Sequence, residues 1–442
     1  MSQNSIPKKI TGRVIGLDAH PDSFTASTVT GATPAEAVVD KCVTKVPLDH
    51  LDSWAKRHTL PSDTILLEAS GNSFHLARRL LALGRKVIVL ESHHLSKMKD
   101  AHANNDKISA TRIAKAFLCG TCKEVWIPDA KTQDRRDTFH AYDKSRNDCT
   151  RSVNRLRCYL SDHGVRLPEL SFTKQSLQHL RETLTKAKAW NVSEKLVIDN
   201  MFLSLECARK LRANGEQLMA LEVCKDPKLL SLTRLCGVRH IVAYAIGAFV
   251  GPISRFKSAK SLVKYVGLHP SFDDSGKTDW RGGIGGHGHR LLRSLLIEAA
   301  HSVMRSKSNP LGKWARKLEK RKGNPLIAVA ALARRLLVAI WYMLSGLWDA
   351  VSEIDKPMAA KLSKMMKKAG ALLGEDPKKE RKEIEQKLQH GRTYVLKEPA
   401  KMTPRKKAPA TSPPLVEDQQ KTTQRQDSPD MGAGLLAEYG IA

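Results

Sequence analysis

Val14–His20 reads VIGLDAH and Thr64–Ser70 reads TILLEAS. Each is a short Val/Ile/Leu-rich run that closes on an acid, Asp18 in the first and Glu68 in the second. Near-continuous apolar runs of this length belong to strands covered on both faces, the situation of a parallel sheet. The flanking sequence agrees. Ser23–Val29 (SFTASTV) follows a Pro-Asp turn and reads as another strand, and Lys86–Ser92 (KVIVLES) as a further one. Phe74–Gly84 (FHLARRLLALG) and Ile108–Gly120 (ISATRIAKAFLCG) carry apolar residues at helical spacing and stop at glycine. Strands alternating with helices predict an α/β sheet covered by helices over residues 12–127.

Downstream the texture changes. Between 131 and 225 the only glycines are Gly164 and Gly215, and Arg and Lys are dense. Val153, Leu156 and Leu160, then Leu203, Leu211 and Leu218, recur at helical spacing. Long helices forming a coiled-coil spacer are expected there, broken at Pro168; an ordinary helical subdomain fits the same pattern. Residues 226–346 bring glycines back among helices, so a mainly α domain is expected. Its clearest helix is RLLRSLLIEAAHSVM from Arg290, with Leu291, Leu295, Ala299 and Val303 on one face. From 355 to 442 the chain turns Lys-, Pro-, Gln- and Ser-rich, which predicts a charged, largely disordered tail with a short helix at 376–390.

The 442 residues carry 74 Lys/Arg against 45 Asp/Glu, a net charge of +29. The tail holds 18 Lys/Arg and 12 Asp/Glu, a net of +6, so +23 lies ahead of it. A charge of that size points to a polyanionic partner, most simply nucleic acid. The longest apolar run, Leu326–Leu344, has Arg334 and Arg335 at its middle. Two guanidinium groups at mid-bilayer would cost several kcal/mol, so a buried or docking helix is expected and no membrane span. The start, MSQNSIPKKITGR, lacks the apolar segment of a secretion signal. A cytoplasmic protein with eight reduced cysteines is therefore expected. Cys119 and Cys122 form one CxxC, but no second ligand pair at finger spacing supports zinc.

Two stretches carry chemistry. Asp18 and Glu68 end strands of one sheet, and Asp106, in NNDKISA, opens a helix. Acids at the C-terminal ends of neighbouring strands in an open α/β sheet can converge on one crevice. Carboxylates gathered there repel, and a divalent cation removes that cost. Mg²⁺ takes hard oxygen ligands and keeps waters for a phosphate substrate, and two such ions about 3.5–4 Å apart clamp a phosphodiester. Any one of these acids alone is equally a solvated loop residue or a helix cap. The second stretch is Asp273–Arg290, DDSGKTDWRGGIGGHGHR. Its glycines let backbone N–H groups approach phosphates, and Lys277, Arg281, Arg290 and Arg293 supply positive charge as candidate nucleic-acid contacts. Ser275 could attack phosphorus if its proton is removed, although Ser-Gly is also an ordinary turn. No GxxxxGK[ST] occurs, which disfavours nucleotide hydrolysis.

Together these stretches resemble the transposases of the insertion sequence one-ten family, from about Arg13 to Leu344. The resemblance is carried, in order, by VIGLDAHPDSF, LLEASGNSFHLARRLLALGRKVIVLES, NNDKISATRIAKAF, RFKSAKSLVKYVGLHPSFDDSGK, GHGHRLLRSLLIEAA and NPLIAVAALARRLLVAIWYML. It implies a RuvC-like (RNase H-like) N-terminal domain with acids at Asp18, Glu68 and Asp106. It also implies a coiled-coil spacer and a C-terminal transposase domain whose serine is Ser275, after the GLxP-like Gly267–Pro270. The family's fourth acid, three residues after the third, is replaced here by Ser109. Asp22 and Asp100 are the nearby acids, off the motif's spacing. The resemblance further implies Mg²⁺, a covalent phosphoserine link to DNA, donor and target DNA as partners, a guide RNA from the same element, and dimers or tetramers. Two other functions stay open on the sequence. One is a RuvC-like structure-specific nuclease with water as nucleophile. The other is a catalytically impaired DNA/RNA-binding relic, which Ser109 motivates.

Overall fold

The computed structural model describes residues 13–97, 105–166, 176–275, 278–307, 309–347, 355–370, 379 and 382–384. Strand β1 (Val14–Ala19) runs antiparallel to β2 (Ser23–Thr30) and parallel to β4 (Thr64–Glu68). Beyond β2 lies β3 (Val38–Pro47), antiparallel to it; beyond β4 lies β5 (Lys86–Leu90), parallel, and then the short antiparallel β6 (Glu124–Val125). The sheet order is β3-β2-β1-β4-β5-β6.

Helices cover both faces, as the apolar runs require. On one face α1 (Leu51–His58) and α2 (Ser73–Ala82) pack with Ile15, Leu17, Ile65 and Leu67. On the other, α3 (Ser92–Lys97) and α4 (Asp106–Leu118) pack with Val14, Leu66 and Leu90. Side chains alternate across a strand, so Val14, Gly16 and Asp18 share the α4 face, as do Leu66 and Glu68. Gly16 lets α4 lie flush on β1: a Cβ there would fall on the carbonyl oxygen of Ala110 and reach within 2.9 Å of the Ala114 nitrogen.

The helical part begins with α5 (Ala130–Asp162), α6 (Leu177–Ala187) and α7 (Val192–Lys225). Helices α5 and α7 are antiparallel: Arg135 bonds Glu222 and Asp226 at 3.1 and 2.8 Å, and Ser152 meets Ser204 at 3.2 Å. Their far halves enclose Leu156, Leu160, Leu184 and Phe202 with α6. Their near halves place Phe139, Tyr142, Met219 and Val223 inside the C-terminal core, so packing is continuous across 225. Pro168 lies outside the described residues. Leu203, Leu211 and Leu218, expected to pack, face outward with 63%, 55% and 37% exposure, and Phe202, Leu205 and Ala208 pack instead.

The C-terminal core gathers α8 (Pro227–Leu232), α9 (His240–Phe249), α10 (Ala259–Val266), α11 (Arg290–Arg305), α12 (Pro310–Lys322) and α13 (Pro325–Leu344). Helix α13 is long and apolar enough to cross a bilayer, yet Leu332, Ala333, Leu336 and Ile340 are buried in this core. Its arginines are used locally: Arg334 Nε donates to the Leu268 carbonyl at 2.8 Å, and Arg335 stacks 3.6 Å from the Trp314 ring centroid.

Two segments differ from expectation. The Gly-rich stretch after Pro270 is an antiparallel hairpin, β7 (Pro270–Ser275) and β8 (Thr278–Ile284). The start of the expected disordered tail is instead helix α14 (Asp355–Ala369), with Leu362, Met365 and Met366 buried in the C-terminal core. An amphipathic Lys-rich helix reads as a tail until its partner, α7, is known. Of the helix expected at 376–390, residues 379 and 382–384 are described and helical; the rest, and all of 385–442, lie outside the described residues.

Candidate active site

Asp18 sits one residue beyond the last paired positions of β1 and β4, Leu17 and Leu67, and Glu68 is its neighbour on β4. Both end parallel strands on the α4 face. Helix α4 begins at Asp106, where Asn105 caps it by accepting the Ile108 amide at 2.9 Å. Because Gly16 seats α4 against β1, the first turn of the helix delivers Asp106 to the strand ends. The three expected acids are therefore brought to one edge.

His20, which the sequence reading did not single out, completes the group. Ligand atoms of Asp18, His20 and Asp106 lie within 4.8 Å of one another. His20 Nε2 is 3.4 Å from Asp106 Oδ1 and 3.8 Å from Asp18 Oδ2, hydrogen-bonded to neither. The backbone around it is fixed: the His20 amide donates to the Ser23 carbonyl at 2.9 Å, and Asn72 Nδ2 donates to the His20 carbonyl at 2.8 Å. Burial is the main cause raising the Asp18 carboxyl above the ordinary carboxylate value, with Asp106 and Glu68 adding to it and His20 and Arg112 opposing. Two carboxylates gathered around an orphaned imidazole nitrogen form a donor set that a divalent cation would satisfy. The carboxylates suit Mg²⁺, and a ring nitrogen suits Mn²⁺ as well.

The place of the absent fourth acid is inside the fold. Ser109 is 7% exposed, one turn along α4, with Arg112 Nη2 at 3.4 Å. Asn105 is the cap, so Ser109 has no capping role there. Asp22 is exposed and bonded to Ser23, outside the cluster, and Asp100 lies outside the described residues.

Ser275 is placed by its backbone, at the end of β7 opposite Thr278 across the two-residue tip. Its side chain, that of Arg281 and all of Lys277 lie outside the described residues. At the hairpin's base, Arg293 Nη1 donates to the His287 and Val266 carbonyls at 2.6 and 3.4 Å. Arg293, expected as a nucleic-acid contact, is thus engaged in holding the loop, while Arg290 is exposed at the start of α11. His289 caps α11 through the Leu292 amide at 3.2 Å, and burial pushes its imidazole down to about 4.

The sheet meets the C-terminal core across an open cleft of about 780 Å³ lined by Glu91, Glu124, Trp126, Arg136, Arg255 and His289. Arg255 stacks 3.8 Å from the Trp126 ring centroid, and Arg136 lies 5.3 Å from it. These residues carried no motif signal, since cation–aromatic stacking joins positions distant in sequence.

Residues 230–314 match the model of the transposase IS116/IS110/IS902 family. That span holds the turn before α9, the hairpin and α11. Over that span the chain is similar to the transposases of this family. The chain is 24% identical over 285 residues to the transposase for insertion sequence element IS1111A of Coxiella burnetii, covering 64% of this chain and 77% of that one. A probable family 20 transposase of Pseudomonas aeruginosa is 23% identical over 293 residues, 65% of this chain and 85% of the relative. A putative transposase, y4qE, of Sinorhizobium fredii is 25% identical over 234 residues, 53% and 56% of the two chains. The resemblance read from the motifs thus holds for the family.

Proposed function

We propose that this transposase cuts and rejoins DNA at the ends of an insertion sequence, with Ser275 as nucleophile and Mg²⁺ held by Asp18, Glu68 and Asp106. The observation that carries the reading is the meeting of Asp18 and Asp106 around His20 Nε2, with Glu68 near enough to help raise the Asp18 carboxyl. The sheet order, with β1, β4 and β5 parallel and β2 and β3 antiparallel, supports a RuvC-like N-terminal domain.

In the step proposed, Ser275 Oγ attacks a DNA phosphorus. An Oγ–P bond forms, one bond from phosphorus to a sugar oxygen breaks, the serine proton passes to a base, and the sugar oxygen leaves as a hydroxyl. The phosphoserine conserves the phosphodiester's energy, so a second sugar hydroxyl can reverse the step on another strand without a nucleotide cofactor. When bound, Mg²⁺ supplies charge neutralisation at the phosphate oxygens. In the sequence Gly276 and Lys277 follow the serine, residue types that suit a phosphate through backbone N–H groups and an ammonium. Arg281 and Arg290 add positive charge to the same stretch of sequence.

The net +23 ahead of the tail suits DNA and a guide RNA together, because phosphate neutralisation supplies most of such affinity. The exposed leucines of α7 at 203, 211 and 218 support self-association as a dimer or tetramer. The deciding experiment incubates the protein with 5′- and 3′-labelled element ends in Mg²⁺ and looks for protein–DNA adducts on denaturing gels. Adducts in the natural protein, and none in Ser275→Ala with DNA affinity retained, are expected. Metal-dependent nicking without an adduct would transfer the chemistry to water, and binding without cleavage would identify a relic.

A further inference from the structure

The outward face of α7 carries an ordered stripe: Leu196, Asn200, Leu203, Cys207, Leu211, Asn214 and Leu218, all exposed. None of them belongs to the cores of the described residues, and α5 and α6 pack against the other side of the helix. At 3.6 residues per turn the stripe stays within an arc of about 80° and runs for about 33 Å. Its residue types read Leu-Asn-Leu-Cys-Leu-Asn-Leu, and the steps between them are four, three, four, four, three and four residues. Types and steps are the same in either direction, with Cys207 at the centre.

A palindromic stripe is complementary to a second copy of itself turned end for end. With Cys207 opposite the partner's Cys207, Leu203 meets the partner's Leu211, Leu196 meets the partner's Leu218, and Asn200 meets the partner's Asn214. A slip of one heptad in either direction sets Cys207 against an asparagine, and polar residues within an apolar seam fix register in this way. Side-chain amides can donate to and accept from one another, so the asparagines pair only in the unslipped arrangement. A parallel pair matches any stripe with its copy and needs no such symmetry. Charge points the same way. Asp199 and Glu206 lie in the first half of the stripe and Lys210 in the second. Glu206 and Lys210 are exposed on one flank, and the antiparallel register sets Glu206 about 3 Å along the axis from the partner's Lys210. Within its own chain Glu206 Oε2 has only a loose ion pair with Arg181, at 4.0 Å.

We propose that two copies of this chain pair antiparallel through α7, on a two-fold axis at Cys207. The proposal rests on the self-association read above from the same leucines and gives it a direction and a register. Such an interface is isologous: one patch serves both subunits, and each contact occurs twice. Helix α7 enters the C-terminal core at its Lys225 end. Antiparallel pairing therefore sends the two C-terminal cores, each with its hairpin of β7 and β8, to opposite ends of the paired helices. A parallel pair would set them side by side.

The test uses the full chain and has two arms. In the first, light scattering gives the mass of the natural protein and of Leu203→Lys/Leu211→Lys. The variant is expected to lose a subunit from each pair while its helical circular dichroism is kept, since both positions are exposed in the single chain. A monomeric natural protein, or a variant of unchanged mass, would overturn the interface. In the second arm, Cys119 and Cys158, the other exposed cysteines, are replaced by Ser, and copper phenanthroline serves as oxidant. Cys207 is expected to give a covalent dimer. In a Cys207→Ser background neither Leu203→Cys nor Leu211→Cys alone is expected to cross-link, because each cysteine then lies about 12 Å along the axis from its copy, beyond disulfide reach. The two variants co-expressed in equal amounts are expected to cross-link in up to about half of the pairs, the share that is mixed. Leu203→Cys cross-linking alone would overturn the direction in favour of a parallel pair, and a mixture that does not cross-link would overturn the register. Neither arm contains DNA, so loss of the interface is distinguished from failure of the transposase reading, which the adduct assay decides.

Discussion

Replacing Asp18 by Asn separates a metal-binding carboxylate from a structural one. The change keeps the shape of the side chain and removes one charge from the cluster. Asp18 and Asp106 offer oxygens within 4.8 Å of each other, and two unit charges at that separation repel by about 0.9 kcal/mol at the permittivity of water and about 3.5 kcal/mol at an effective value near 20. The side chains are 20% and 37% exposed, so the lower figure applies. Without metal, Asp18→Asn should therefore stabilise the fold by about 1 kcal/mol. With Mg²⁺ at a hundredfold excess over its dissociation constant, the natural protein should gain about 2.7 kcal/mol and the variant little of it. The order of stability thus inverts between EDTA and Mg²⁺, and thermal unfolding in the two buffers reads it directly. Strand cleavage should be lost in the variant. A variant less stable than the natural protein in EDTA, with its Mg²⁺ response intact, would refute the reasoning and assign Asp18 to holding His20.

Gly16→Ala should cost about 1–3 kcal/mol, because the methyl group meets the Ala110 carbonyl and must push α4 off β1. Mg²⁺ affinity should fall with it, as Asp106 rides on α4; an unchanged Mg²⁺ titration would disconnect the helix from the site. Ser109→Asp should lower the Mg²⁺ concentration for half-maximal cleavage, since residue 109 lies one helical turn from Asp106 on a shared face. An unchanged requirement in an already active protein would show that three carboxylates and His20 suffice. Acid should weaken the fold through His240 and His289, both held at about 4 by burial. Between that value and the ordinary 6.5 the unfolded chain binds protons that the folded chain does not, so stability should drop as pH falls through this window. The loss should reach about 1.4 kcal/mol per pH unit for each histidine, and His289→Asn, which can still cap α11, should flatten it. Denaturation midpoints at pH 7 and pH 5 check this, and a midpoint insensitive to pH would count against it.

The sequence by itself determined the sheet's central strands and the three acids at its edge. Apolar runs covered on both faces announce β1, β4 and β5 without help from the rest of the chain, and an acid closing such a run must lie where the sheet stops being covered. The family motifs were equally local, being short strings in a fixed order. Tertiary structure alone decided the remainder. Strand β3 is mostly exposed, so its sequence carries no buried run. The hairpin of β7 and β8 is rich in Asp and Gly, and only pairing across Ser275 and Thr278 makes it a sheet. His20 acquires a role because Asp106, 86 positions away, is lowered onto it by a helix that Gly16 admits. The leucines of α7 point outward because α5 and α6 occupy its other side. Helix α14 is a Lys-rich amphipathic segment whose apolar face finds α7 and whose Lys361 finds three carbonyls more than 120 residues upstream. Local patterns record which faces are apolar; which surfaces meet, and which polar atoms are left without a partner, is settled only when distant segments close on one another.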